Sequence, residues 1–430
     1  MSAPLKVAVA GLGTVGCGIV RLLHEQDAVL AERCGRPLRV TAVSARDRGR
    51  NRDADISAFD WYDDAVAMAS EADADVVVEL IGGSDGVAKA VCEAAIGAGR
   101  HVVTANKALL ALSGNALARA AEDNGVSLCY EAAVAGAIPI VKSLREALAG
   151  NRIERLYGIL NGTSNYILSA MRDSGRPFEE VLAEAQTLGY AEADPSFDVD
   201  GIDAAHKLAI LTSLAFGTEV DFAGVYIEGI RQVSPMDIEY AGELGYRIKL
   251  LATARRTEHG IEQRVHPCMV AESAAIATVD GVFNAVVAVG DFAGPTVYEG
   301  QGAGAGPTAS AVAADLVDIA RGISAPTFGI PAAHLERAPV SPMERHRGSY
   351  YIRLMVVDRP GVLAAITAAF RDEEVSMESL LQRGRSPDEA VPVVLTSHRT
   401  EEAAMTRALD KIAALDSVLE PPCMIRIEDL

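Results

Sequence analysis

The sequence predicts an α/β protein in three parts: a doubly wound parallel sheet, an α+β region, and a small C-terminal βαββαβ unit. Three observations carry that prediction. A strand, a glycine turn and a helix open the chain at LKVAVAGLGTVGCGIVRLL, residues 5–23. Continuous apolar strands then alternate with helices up to residue 144, the pattern of a parallel sheet covered on both faces. From residue 349 the order becomes β-α-β-β-α-β, the ferredoxin-like arrangement. A chain of 430 residues leaves room for two or three domains at roughly 150 residues each.

Composition removes several classes of function. A net charge of −20 argues against a nucleic-acid binder, which shows a basic face, and against an anionic membrane surface as partner. Cys17, Cys34, Cys92, Cys129, Cys268 and Cys423 are scattered without a CxxC pair, so neither a disulfide framework nor a zinc spacing is present. Met1 runs straight into a strand without a signal segment. No apolar run reaches the roughly 18 residues that span a bilayer. A cytoplasmic protein with reduced thiols is expected.

The glycine turn has Gly11, Gly13 and Gly16 in a GxGxxG pattern between strand and helix, the Rossmann-type dinucleotide signature. Gly11 permits the tight turn, Gly13 lets a pyrophosphate approach the backbone, and Gly16 lets helix and strand pack. The helix start then faces the phosphates. RVTAVSARDRGR (39–50) is the second strand and its exit. An acid closing that strand would bind the ribose of NAD; Arg46, Arg48 and Arg50 instead suit a 2′-phosphate and favour NADP, although a solvated basic loop accounts for them nearly as well. ADVVVELIGG (74–83) and HVVTANKALL (101–110) are further strands. Thr104 and Lys107 fall at the carboxyl edge of the latter, where such sheets bind ligands. Glu131 ends an apolar strand in VSLCYEAAVAGAIPIVKSL (126–144), and it suits either a cation or a capped turn.

NRIERLYGILNGTSNYILSAM gives a strand, an NGTSN turn and a helix. That turn suits a polar ligand or a plain N-cap by Thr163 or Ser164. The stretch GYAEADPSFDVDGIDAAHK (189–207) crowds Glu192, Asp194, Asp198, Asp200 and Asp203 together before Lys207. After Gly201 the run IDAAHKLAILTSLAF reads as a mostly buried helix. Asp203 and Lys207 share one face of it at i and i+4. Either they form a structural ion pair at a helix start, or Glu192 and Asp203 hold a polar substrate while Lys207 moves a proton. Strand-like runs at 245–254, 261–270 and 285–290 predict an antiparallel or mixed sheet under these helices. EGQGAGAGPTASAVAADLVDIA (299–320) reads as a return to the nucleotide domain with Gly302 near the cofactor. The prolines of 322–348 mark a linker.

The motifs GLGTVG, TANKALL, YEAAVAGAIP, NGTSNYIL, GYAEADPSFDVDGIDAAHKLAIL and GAGAGPTASAV resemble, in that order, those of the homoserine dehydrogenases. The resemblance covers roughly 1–345, and VVDRPGVLA in the tail resembles an ACT domain. It implies a dinucleotide-binding domain at 1–140 plus about 303–325, a substrate-binding and dimerisation domain at 141–302, a linker at 326–348 and an ACT regulatory domain at 349–430. It further implies Lys207 as proton donor and acceptor, Lys107 as its assistant near cofactor and substrate, and Glu192 and Asp203 as substrate-binding acids. Leu12, Thr14, Val15, Thr104, Gly189 and Gly302 would line the cofactor, NADP or NAD. Glu131, with the backbone of Val134, Gly136 and Ile138, would hold a sodium ion.

The implied reaction interconverts L-aspartate 4-semialdehyde and L-homoserine, with hydride passing between nicotinamide and the aldehyde carbon and a proton at the oxygen. Desolvation lowers the pKa of Lys207 and the neighbouring acids raise it; the sequence does not say which wins. Feedback by threonine at the ACT domain, with Asp358 and Gly361 as contacts, and a homodimer or homotetramer paired through the tail are also implied. The rival readings are another Rossmann dehydrogenase of an amino-acid aldehyde or imine, and a non-catalytic nucleotide and amino-acid sensor. The sensor would leave the acids and lysine of 189–207 without a task.

Overall fold

The computed structural model describes residues 3–383 and 389–430. Residues 1–2 and 384–388, within the spans 1–140 and 349–430, lie outside the described residues. The first unit runs β1 (Leu5–Ala10), α1 (Thr14–Glu25), α2 (Asp27–Cys34), β2 (Leu38–Ser44), β3 (Asp60–Tyr62), α3 (Ala65–Glu71), β4 (Val76–Glu79), α4 (Val87–Gly97), β5 (His101–Thr104), α5 (Lys107–Asp123) and β6 (Leu128–Cys129). Its strands are parallel in the order β3-β2-β1-β4-β5-β6. Strand alternation buries both faces: Val7 and Val9 enter one core, Ala8 and Ala10 the other. The strand order reverses between β1 and β4, where such sheets open a ligand crevice.

The second unit holds α6 (Ile140–Lys142), β7 (Ile153–Ile159), α7 (Gly162–Ser174), α8 (Phe178–Thr187), α9 (Ser196–Val199), α10 (Ile202–Phe216), β8 (Tyr226–Ile227), α11 (Pro235–Glu243), β9 (Tyr246–Thr257), β10 (Gly260–Ala271), β11 (Phe283–Gly290) and β12 (Gly294–Gln301). Thirteen residues of α10 are buried, so this helix, apolar on nearly every side, lies inside the core. α12 (Ala305–Arg321) then packs on α1, where a Cβ on Gly18 would lie 3.1 Å from the Ala305 carbonyl oxygen. Residues 326–348, expected as a linker, are strapped to the body. Phe328 is buried against Tyr130 with ring centroids 5.5 Å apart, and Glu336 and Val340 bridge to Thr218 and Ile261.

The third unit is β13 (Arg347–Val357), α13 (Val362–Asp372), β14 (Met377–Gln382), β15 (Ala390–Ser397), β16 (Thr400–Glu401), α14 (Glu402–Ala413) and β17 (Cys423–Glu428). It does not stand apart. β17 lies between β13 and β10, parallel to β10 with Cys268 opposite Arg426 and Val270 opposite Glu428. One sheet of 11 strands therefore runs β12-β11-β7-β9-β10-β17-β13-β15-β14, with β8 on β10 and β16 on β13. The β17 edge of this unit is filled by the chain's own β10. All six cysteines are unpaired, and no described helix is long and apolar enough to cross a membrane.

Candidate active site

Asp203, in the first turn of α10, is the hub. Its Oδ2 accepts from the Lys207 ammonium at 2.6 Å and from Asn161 Nδ2 at 3.0 Å, while its Oδ1 faces Lys107 Nζ at 2.9 Å. The Asp203–Lys207 pair comes from one helix face, as the i, i+4 spacing predicts. Lys107 arrives from the start of α5, just beyond β5. Asn161 caps α7, accepting from the Ser164 N–H at 2.8 Å, and its amide also donates to Asp198 at 2.8 Å. The cap expected at Thr163 or Ser164 is thus Asn161, which joins two acids of the stretch, Asp198 and Asp203, to one helix end.

The two lysines differ electrostatically. Burial lowers the pKa of Lys207, the Lys107 charge lowers it further, and Asp203 and Asp198 do not fully offset them. Burial acts on Lys107 too, but Asp203, Asp198 and Glu192 outweigh it and raise its pKa. Asp203 is held low against its own burial by the two ammonium groups. Burial and the Asp203 charge push Asp198 up. Lys207 donates to the Leu160 carbonyl at 2.7 Å and to Asp203. An ammonium has three donors, so among the described residues one is unspent.

The glycine turn behaves as its spacing predicts. Gly11 has φ +99°, a Cβ on Gly16 would sit 1.9 Å from the Gly11 carbonyl oxygen, and Gly13 faces open space. A cleft of about 320 Å³ beside it is lined by Leu12, Gly13, Thr14, Arg50, Arg52 and Ala305. Val15 is half-buried outside that lining, and Arg46 is exposed away from it; Arg21, Arg50 and Arg52 reach it, Arg21 paired with Asp53 at 2.8 Å. Thr104 does not face the cleft: it is fully buried, donating to Glu79 at 2.6 Å and accepting from the Asn106 N–H at 3.0 Å. Gly302 likewise lies outside the lining of that cleft. It packs against Asn284 and Gly136, and the neighbouring Ala305 is the residue of that loop that lines the cleft. Gly189 is an exposed turn at φ +77°. Glu192 is exposed and reaches Lys107 through its field alone.

Models of "Homoserine dehydrogenase, NAD binding domain", "Homoserine dehydrogenase" and "ACT domain" match residues 11–131, 139–317 and 350–416. A homoserine dehydrogenase of Neisseria gonorrhoeae is 46% identical over 433 residues, covering 99% of each chain. The chain belongs to the homoserine dehydrogenase family. The crystal structure of a homoserine dehydrogenase from Thiobacillus denitrificans superposes with TM-score 0.91 at 47% identity, covering 99% of this chain and 98% of that one. A hyperthermophilic archaeal homoserine dehydrogenase in complex with NADPH gives TM-score 0.62 at 25% identity, covering 73% and 97%. The reaction is the nicotinamide-dependent interconversion of L-aspartate 4-semialdehyde and L-homoserine, and the tail is an ACT domain.

In this homoserine dehydrogenase Glu131 is first of all a cap. Its two carboxylate oxygens accept from the Val141 and Lys142 N–H groups at 2.9 and 2.8 Å, and its own N–H donates to Asp315. Burial and Asp315 push its pKa up to about 7, and burial pushes Asp315 up to about 6. Ala135 and Gly136 curl the loop at φ 56° and 55°. Among the described residues the Val134 and Gly136 carbonyls accept no hydrogen bond. A second cluster, His266, Cys268 and Glu428, lies within 4.8 Å. Burial, then Arg426 and Arg264, depress His266, and the buried guanidinium of Arg264 holds Glu428 at 3.1 Å, so the cluster already carries its own cations.

Asn161, Asp198 and the Leu160 carbonyl were missed as site groups. The NGTSN turn was the available signal for Asn161; nothing local marks a backbone carbonyl as a lysine's partner.

Proposed function

We propose that Lys207 is the proton donor and acceptor at the substrate oxygen, with Asp203 orienting it and Lys107 remaining charged beside it. The single observation that supports this is a buried, pKa-lowered ammonium with one donor unspent. A lysine moved towards neutrality exchanges a proton with a forming alkoxide more readily than an ordinary one. Asp198 and Glu192 face the same site and suit the substrate's ammonium. When bound, the nicotinamide supplies the hydride; the chain's own groups orient the aldehyde and hold the proton.

The cofactor we infer is NADP. The cleft beside the glycine turn carries Arg50 and Arg52, with Arg52 stacked 5.5 Å from the Trp61 ring. The archaeal relative described above was solved with NADPH. Kinetics with NADPH and NADH test this: kcat/KM is expected to be about tenfold or more higher with NADPH, and Arg50→Ala/Arg52→Ala to erode the difference. Equal efficiency with both cofactors rejects the preference.

We also propose that sodium occupies the 131–138 loop, held by the Val134 and Gly136 carbonyls with those of Glu131 and Ile138. Lone carbonyls on a curled backbone suit a hard cation, and Glu131 and Asp315 keep raised pKa values even with Lys142 3.6 Å from Asp315. Because Glu131 and Asp315 keep protons in the folded state that the unfolded chain has released, stability falls as pH rises from about 4 towards 7. For Glu131 the cost is roughly 3 kcal/mol. Sodium chloride is therefore expected to raise Tm over tetramethylammonium chloride at pH 8 and much less at pH 5. Equal Tm in both salts at pH 8 removes the ion.

Threonine is the proposed effector. A cavity of about 380 Å³ at the β13–α13 turn is lined by Asp358, Pro360, Gly361, Leu363 and Gln382. We propose a homodimer or homotetramer, built on the β12 and β14 edges, which pair with no further strand among the described residues, and on exposed Phe292 and Val297; a monomeric mass by sedimentation would reject it. Cytoplasmic residence is proposed from the reduced thiols, and recovery from a membrane or secreted fraction would contradict it.

A further inference from the structure

We propose that Glu228, held by Arg426 of the ACT domain, is a positioning residue for the acidic turn that carries Asp198 and Asp203. The proposal rests on reading Asp198 as a substrate-binding group and Asp203 as the group that orients Lys207. Arg426 lies in β17 and is 2% exposed. Its Nε donates to both Glu402 oxygens at 3.1 Å, and its Nη1 donates to Glu228 Oε2 at 2.7 Å. Tyr226 closes the group, donating to Glu228 at 3.0 Å and lying 5.2 Å beneath the guanidinium. A buried guanidinium needs its carboxylates in place, so Arg426 fixes Glu228 against the regulatory unit.

The backbone beyond Glu228 grips the active-site turn. A Cβ on Gly229 would lie 2.4 Å from the Val199 carbonyl oxygen and 2.6 Å from Asp200 Cα, so main chain rests on main chain. The Ile230 N–H donates to the Val199 carbonyl at 2.9 Å, and Arg231 Nε pairs with Asp200 at 2.5 Å. From the other side, Gly201 at φ +85° is hemmed by Ile227 and Val265, each 3.2 Å from a Cβ there. Val199–Gly201 is therefore clamped, and Asp198 and Asp203 flank it. A shift of β17 against β10 moves Glu228, and with it the spacing of those two acids. Another seam ion pair, Arg353–Asp237 at 2.7 Å, leads instead to the capping box of α11, which makes it a control.

The experiment compares the wild-type full chain with Glu228→Gln, Arg426→Met, their double variant, Arg426→Lys, Asp198→Asn and the control Arg353→Met. Glu228→Gln and Arg426→Met are expected to raise KM for homoserine about tenfold, with KM for NADP within about twofold of wild type. The double variant should be no worse than Arg426→Met, because the pair acts as one, and Arg426→Lys should restore most of the loss. Arg353→Met should lower Tm without moving KM for homoserine. If Arg426→Met does not fold, the half-buried Glu228→Gln decides. An unchanged KM for homoserine in Glu228→Gln, or an equal rise in Arg353→Met, overturns the proposal. An unchanged KM in Asp198→Asn overturns the reading of the acids and the proposal with it; a raised KM there beside an unaffected Glu228→Gln overturns the positioning alone. Threonine titrated on wild type tests the effector separately: no response rejects threonine while the KM comparison still decides Glu228.

Discussion

Lys207→Ala is expected to lower kcat about 10³-fold or more while NADP still binds, since positioned proton transfer contributes roughly 10²–10⁴-fold. Binding is spared because the cleft at Gly13 and Thr14 lies on the first unit, whereas Lys207 lies on α10. Lys207→Arg should not rescue, because a guanidinium does not release its proton at working pH. The pH profile adds a second reading. Homoserine oxidation needs neutral Lys207 as base, so kcat should rise with pH and level off below the ordinary lysine value of 10.5, since burial has moved this amine down. Aldehyde reduction needs the protonated form and should fall over the same range. Stopped-flow rates in both directions check this; near-normal turnover in Lys207→Ala removes the residue from the chemistry.

Asp203→Asn is the second large effect, and it acts on stability as well as rate. The substitution leaves two ammonium groups near each other with their shared anion gone. Breaking a buried pair in this way costs about 3–5 kcal/mol. The folded-state pKa of Asp203 is depressed, so its stabilisation is present above the unfolded value of about 3.9 and fades as pH falls below it. The variant should therefore lose most against wild type near neutral pH and converge with it in acid. Without the carboxylate the Lys207 pKa drops further, which moves the rising limb of homoserine oxidation to lower pH. Denaturant titrations at pH 3 and pH 7, with the pH–rate profile, check both. A limb that stays in place would show that Asp203 does not tune Lys207.

Local spacing made the glycine turn and the Asp203–Lys207 pair legible, because a strand, a tight turn and one helix face are set within a few residues. It did not set which way Thr104, Arg46 and Gly302 face, and all three lie outside the lining of the cleft. Each stands at the right edge of its strand or loop, but side-chain direction there depends on distant neighbours: Glu79 takes the Thr104 hydroxyl, and Asn284 fills the space above Gly302. Asn161 and Leu160 reach the lysine only because β7 and α7 are folded against α10.

By itself, the sequence determined the nucleotide-binding turn, the buried acid–lysine helix, the order of the three units and the family, since each is written in short periodic or motif-bearing runs. Only the tertiary structure decided which lysine is driven towards neutrality, because burial and the Lys107 charge both come from chain closure. It alone joined β17 to β10, because strand partners far apart in the chain are chosen by which edge the folded body leaves unpaired.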